Sequence, residues 1–197
     1  VTLAPISKKQ DFYPKFTSVP EVTHIQAIAS KAGIIRTETA FEGIILKGVG
    51  TDYQWNNIKE YIISGRLPDF SKGINQEVVI SQFLANRLNL KVGDSFNTFF
   101  IKEDQNKLPN SRRFTITGIF NSGFQDFDAT YIIGDIRHIQ RMNKWAPDQV
   151  GAFEVFVNDF DNIEAIGEKV YEQTSSTLDT KTIIEKYSYI FEWLKLF

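Results

Sequence analysis

Asp126 and Asp128 come nearest, among all the residues of this chain, to a catalytic or metal-binding pair. Two positions apart, they point the same way along an extended segment and could share a cation, with a solvated strand edge as the competing reading. The two histidines are His24, on an expected strand, and His138, on an expected helix. Neither stands at ligand spacing from a carboxylate or from the other, so both read as ordinary surface or half-buried side chains. Gly48 and Gly50 form a lone Gly-x-Gly followed by Thr51-Asp52-Tyr53. With no third glycine and no phosphate-binding lysine, that is a turn rather than a nucleotide cradle. Ser81, Ser122 and Ser188 have no Gly-x-Ser-x-Gly setting, which leaves nucleophilic hydrolysis unsupported. No catalytic, metal-binding or cofactor-binding residue is assigned.

A binding function has better material. Lys102, Lys107, Arg112 and Arg113 surround Leu108-Pro109 in a stretch, 102–112, that is otherwise polar. It joins two expected strands, 96–101 and 113–120, and is well past the usual hairpin length of about two to five residues. Long loops held by paired strands concentrate partner contacts, although a functionally idle loop has the same composition.

The elements that position these residues follow from patterning. Val1-Thr2-Leu3 reads as a short strand ended by Pro5, and 9–16 as a helix-like stretch limited by Pro14. Residues 22–30 alternate, and Gly33 separates them from Ile34-Ile35-Arg36-Thr37, which predicts two strands and a turn. Residues 41–49 are β-rich. Residues 55–63 read as a short helix left through Gly65-Arg66-Leu67-Pro68. After a strand at 77–80, Ser81 caps a helix reaching Leu90 with Leu84, Ala85 and Leu88 buried, and 91–94 turns the chain. Phe114, Ile116 and Phe120 share one strand face. Residues 131–133 form a strand, and Ile136, Ile139 and Met142 line the following helix. Phe153, Val155 and Val157 alternate, after which Asp161 with Glu164 predicts a capping box on a helix striped by Ile163, Ile166 and Val170. The two chain ends thus supply one α/β layer, interrupted by a β-richer insertion.

Composition narrows the function classes. At 197 residues, 42% of them hydrophobic and 23% charged, the chain can bury the core of one domain or two small ones. The absence of cysteine excludes thiol nucleophiles, thiolate zinc sites, iron–sulfur clusters and redox pairs. A net charge of -2 provides no global basic field, so no nucleic-acid partner is expected. The chain opens at Val1 and its one methionine is Met142, which reads as a segment of a longer polypeptide. There is no cleavable signal and no apolar run of about 18 residues or more. Residues 187–197 are apolar on nearly every helical face and carry interfacial aromatics, which fits a lead-in to a bilayer span or a helix buried in the domain's own core.

Several motifs in order then carry a resemblance. Gly43-Ile44-Ile45-Leu46-Lys47-Gly48-Val49 is followed by Ser64-Gly65-Arg66, by Glu77-Val78-Val79-Ile80-Ser81 with Leu84-Ala85, and by Leu88-x-Leu90-x-Val92-Gly93-Asp94. Phe114-x-Ile116-x-Gly118-Ile119-Phe120-x-Ser122-Gly123 and Phe127-Asp128 complete the series. Together they resemble the extracytoplasmic domain of the type VII ABC transporter permeases: the lipoprotein-releasing permeases of LolC and LolE type, the macrolide exporter MacB, and FtsX. The last stretch is most similar to the lipoprotein-releasing branch.

The resemblance implies an α+β fold, a MacB-like periplasmic core domain. In it a Porter-type α/β part comes from 1–45 and 150–187, a β-rich Sabre-type subdomain is inserted at 46–149, and 188–197 leads into a transmembrane helix. It places the protein in the bacterial inner membrane with this domain in the periplasm, binding no ATP or other cofactor and transmitting force rather than catalysing a reaction. Implied partners are a sister permease subunit, in a homo- or heterodimer, and a cytoplasmic ATPase subunit reached through the transmembrane part. A lipoprotein substrate and a periplasmic carrier complete the set. In the lipoprotein-releasing relatives a Sabre hairpin hooks that carrier. The matching stretch here is 102–112, shorter than such a hook, with Lys107, Leu108, Pro109, Asn110 and Arg112 as the partner-binding residues. The alternatives are a MacB-like exporter, an FtsX-like regulator, and, from another class, a free-standing binding module or a small hydrolase using Asp126 and Asp128.

Overall fold

The structure is a computed structural model that describes residues 4–102, 108–189 and 191. In chain order its elements are β1 (Ile6–Ser7), β2 (Val22–Arg36), β3 (Phe41–Val49), α1 (Asn56–Lys59), β4 (Ile62–Gly65), β5 (Glu77–Ser81), α2 (Gln82–Leu88), β6 (Ser95–Phe100) and β7 (Asn110–Phe120). There follow α3 (Gln125–Asp128), β8 (Tyr131–Asp135), α4 (Ile136–Asn143), β9 (Gln149–Val150), β10 (Ala152–Val157), α5 (Ile163–Glu172) and α6 (Ile183–Lys186). The fold class is mixed α+β. Two compact units are present: a larger one from Val1–Lys8 and Gln26–Phe153, and a smaller one from Lys9–Ile25 and Glu154–Phe197.

In the larger unit β2 pairs with β3, β3 with β8, β8 with β5 and β5 with β7. Strand β6 pairs with both β7 and β2, so the series closes on itself. Closure leaves these strands without the free edges that invite pairing with other chains. β4 pairs with the last residues of β7. Ile35, Leu46, Phe100, Phe114, Ile116 and Ile132 are all fully buried. A second cluster gathers Val49, Ile58, Phe70, Val79, Phe120 and Ile133.

The smaller unit is built on β10, which pairs with β2; Thr23 Oγ1 donates to Phe156 O and Asn158 N to Glu21 O. Ile166 and Val170 form the buried stripe of α5, as their spacing predicts. Lys169 Nζ reaches Glu21 Oε1 at 2.6 Å.

Several expectations are borne out by the structure. β3 spans the β-rich run of residues 41–49, and Ser81 Oγ accepts from Leu84 N as the N-cap of α2, whose buried side carries Leu84, Ala85 and Leu88.

Five readings need correction. Residues 22–36 are one strand with no turn at Gly33. A Cβ there would stand 2.9 Å from the Phe100 ring, so the glycine admits an aromatic side chain and does not bend the chain. Residues 9–16 form turns, not a helix; Pro14 has no amide to donate and disfavours the α conformation in the residue before it, and Phe12 stacks on Phe16 at 5.3 Å. The helix expected over 55–63 is only α1, because Ile62 and Ser64 pair with Phe120 and Ile119. Asp161 does not cap α5; the N-cap is Asn162, which donates to Asp159 from its backbone and its side-chain amide. A capping box does occur, on α6, between Thr182 and Glu185. On α4, Met142 is only half-buried, while His138 and Gln140 join Ile136 and Ile139 in the interior. The strand expected at 1–3 lies outside the described residues, as does most of the membrane lead-in, 190 and 192–197. Among the described residues no helix is long and apolar enough to cross a membrane.

Candidate functional site

The hairpin singled out from the sequence is held at its base by aromatic packing. β6 and β7 pair from Ser95↔Thr115 to Phe100↔Asn110. Phe114, fully buried, contacts Phe96 and Phe100 at ring separations of 6.2 and 6.5 Å. This register starts β7 earlier than expected and shortens the connection from 102–112 to 101–109. Of the candidate partner-binding residues, Leu108 and Pro109 lie in the loop, Asn110 and Arg112 belong to β7, and Lys107 lies outside the described residues. Arg112 shares a strand face with Phe114 and acts electrostatically on His138 of α4.

Leu108 is 86% exposed, and Ile101, across the loop, is 63% exposed. Ile101 was not singled out as a site residue. The signal for it is the strand alternation, in which Phe96, Thr98 and Phe100 are buried while Asn97 and Phe99 are not, so that Ile101 continues the outward series. Leu108→Ser is therefore expected to leave the melting temperature within about 1–2 °C of the parent, since a fully solvated tip changes stability by only a few tenths of a kcal/mol. A scanning-fluorimetry shift larger than that would make the tip part of the core.

A second constellation, not foreseen, fixes the loop between β4 and β5. Asp135, 1% exposed, caps α4 by accepting from Arg137 N at 2.9 Å, and it also accepts from Arg137 Nε at 2.8 Å. The far end of the same guanidinium, Nη2, donates to Phe70 O at 2.8 Å and Gly73 O at 2.7 Å. One residue on, His138 Nε2 lies 2.6 Å from Asn75 O, with its ring edge-on to Phe114 at 5.1 Å. The sequence signal was an Asp-x-Arg at a strand-to-helix junction. Its acceptors lie more than sixty residues upstream, out of reach of local pattern reading.

Burial holds the His138 imidazole below the ordinary histidine range. The bond to Asn75 O and the Asp135 carboxylate oppose that shift, while the Arg112 and Arg141 guanidinium groups reinforce it. Unfolded, the group titrates near about 6.5, so between that value and its lower folded value the unfolded chain binds more protons. The stability linked to His138 is thus fully present above about pH 6.5 and is lost as the pH falls toward the folded value. Melting temperatures from about pH 7 to about pH 5 are expected to fall less steeply in His138→Gln than in the parent. Parallel slopes would assign the acid sensitivity to other groups.

The remaining candidates separate. Asp126 and Asp128 are not on an extended chain: α3 is a single helical turn, on which residues two apart do not face each other. Asp128 is buried and accepts from Ser122 N at 3.2 Å and Ser122 Oγ at 2.5 Å, tying down the chain after β7, while Asp126 is exposed. His24 is half-buried beside Phe156, and Gly48 lies within β3 opposite Gly134 rather than in a turn. Among the described residues no three His, Asp or Glu side chains gather as a metal site. A shallow concavity of about 470 Å³ is lined by Gly65, Arg66, Glu77, Gly93 and Thr115–Thr117. Its charges, Arg66 and Glu77, are bonded to each other at 2.5–3.0 Å.

No family model matches the chain, and no curated protein matches it. Solved structures do. The extracellular domain of the noncanonic ABC-type transporter YknZ from Gram-positive bacteria superposes with a TM-score of 0.52 at 16% identity, over 83% of each chain. The periplasmic region of MacB from Actinobacillus actinomycetemcomitans gives a TM-score of 0.49 at 15% identity, over 78% of this chain and 68% of that one. At such identities the first of these establishes the shared fold, as the motif series led us to expect.

Proposed function

We propose that this chain is an extracytoplasmic domain of an ABC transporter permease that transmits force and performs no chemistry of its own. The carrying observation is the fold held in common with the YknZ extracellular domain over 83% of both chains. The motif order that resembles the type VII permeases supports it. In this reading the domain lies in the periplasm of a bacterium, anchored in the inner membrane. A sister permease subunit stands beside it, and a cytoplasmic ATPase works through the transmembrane part. The Sabre-type insertion, 46–149, falls within the larger compact unit, and the Porter-type part draws on both chain ends. The finer reading is lipoprotein extraction and hand-over to a carrier, with Leu108, Pro109 and the flanking Lys107, Asn110 and Arg112 meeting that carrier.

A second reading, a MacB-like exporter, is favoured by the short 101–109 connection, because a hook needs reach. The test is co-purification of the full-length natural chain from membranes. An ATPase subunit together with a lipoprotein carrier supports the first reading. An ATPase with an outer-membrane duct and adaptor supports the second. A chain that never enters the membrane and brings down no ATPase overturns both.

A further inference from the structure

We propose that the outer face of β2, β6 and β7 is a docking surface for helix α5 of a second copy of this chain. Asn97 lies opposite Arg36 on β2 and opposite Arg113 on β7, so the three share one row across the strands. All three are exposed. The adjoining row on the same face contains Phe99 and Ile34, the latter 40% exposed. A cationic row beside an apolar one thus stands on a chain whose net charge is -2. Among the described residues neither arginine has an ion-pair partner.

Helix α5 offers the complement. Glu164, Glu168 and Glu172 recur at every fourth residue, all exposed and, among the described residues, none ion-paired. Tyr171, 54% exposed, adds an apolar surface beside them. Residues eight apart on a helix are separated by about 12 Å, and two strand spacings amount to about 10 Å. A helix laid across the strands therefore sets carboxylates against both Arg36 and Arg113. A strip this narrow is below the roughly 800 Å² per partner of a stable interface, so the contact forms where copies are held at high local concentration. Used reciprocally it closes a two-fold dimer; used one way it builds head-to-tail chains. The inference does not depend on the transporter reading.

Because the chain has no cysteine, introduced thiols are unique handles. Two differently tagged populations of the full-length chain, one carrying Asn97→Cys and the other Glu168→Cys, are co-expressed and treated with a short bismaleimide. The expected product joins the two tags. Arg36→Glu with Arg113→Glu in the first population is expected to reduce it about tenfold. Glu164→Lys with Glu172→Lys in the second is expected to restore it, which also shows that the reversed variants fold. Products joining two Asn97→Cys chains would mean that sheet faces pair with each other, and a product with a different acidic protein would give the face another occupant. Either result, absence of the mixed product, or its indifference to the reversals overturns the proposal. Co-purification of an ATPase is read separately, so this failure and that of the transporter reading are distinguishable.

Discussion

Gly65→Ala is expected to destabilise the protein by about 3–4 kcal/mol, lowering the melting temperature by roughly 6–16 °C. Gly65 ends β4 with φ +76°, a conformation that costs an L side chain about 1–2 kcal/mol by itself. The larger cost is contact, because a Cβ there would sit 2.2 Å from Thr117 O and 3.0 Å from Gly118 Cα. Gly118 is its cross-strand partner, and the carbonyl in the way is the one that accepts from Arg66 N at 2.7 Å. Relieving the clash means pulling β4 off β7. Gly73→Ala is the control. Its φ is +103° but nothing lies within 4 Å of its Cβ position, so only the backbone cost applies. Equal losses in the two variants, measured by urea denaturation, would show that the backbone of β4 yields freely.

Arg137→Ala is expected to cost about 2–3 kcal/mol, or roughly 4–12 °C. Removing the guanidinium leaves the Asp135 carboxylate, 1% exposed, without its cation and takes the donor from two backbone carbonyls. The figure stays below that of a wholly buried pair because the Arg137 side chain is 36% exposed and water screens part of the attraction. Phe70, which belongs to the second core cluster, sits on the released loop. Limited proteolysis should therefore cut first between residues 66 and 76. Arg137→Lys keeps the charge but not the fork, and is expected to recover only part of the loss. A melting temperature within 1–2 °C of the parent in Arg137→Ala would mean that packing of Phe70 alone secures the loop.

What the sequence determined by itself was everything carried by short-range pattern. The alternation of Phe96, Thr98 and Phe100, the Ser81 cap with its Leu84–Leu88 stripe, and the strand over 41–49 each depend on neighbours within a few residues, where period and capping chemistry are fully written. The order of those motifs also pointed to the fold found. The tertiary structure decided what depends on partners far along the chain. Gly33 looked like a turn until Phe100 came to lie against it, and Asp128 looked like half of a cation pair until Ser122 accounted for its oxygens. Ile62 left its helix because β7 supplied hydrogen-bond partners that no local window contains. Closure of the strands through β6, and the grip of Arg137 on Phe70 and Gly73, arise in the same way. A hydrogen bond across more than sixty residues leaves no periodic trace in the sequence, because its two ends are selected by packing of the whole unit.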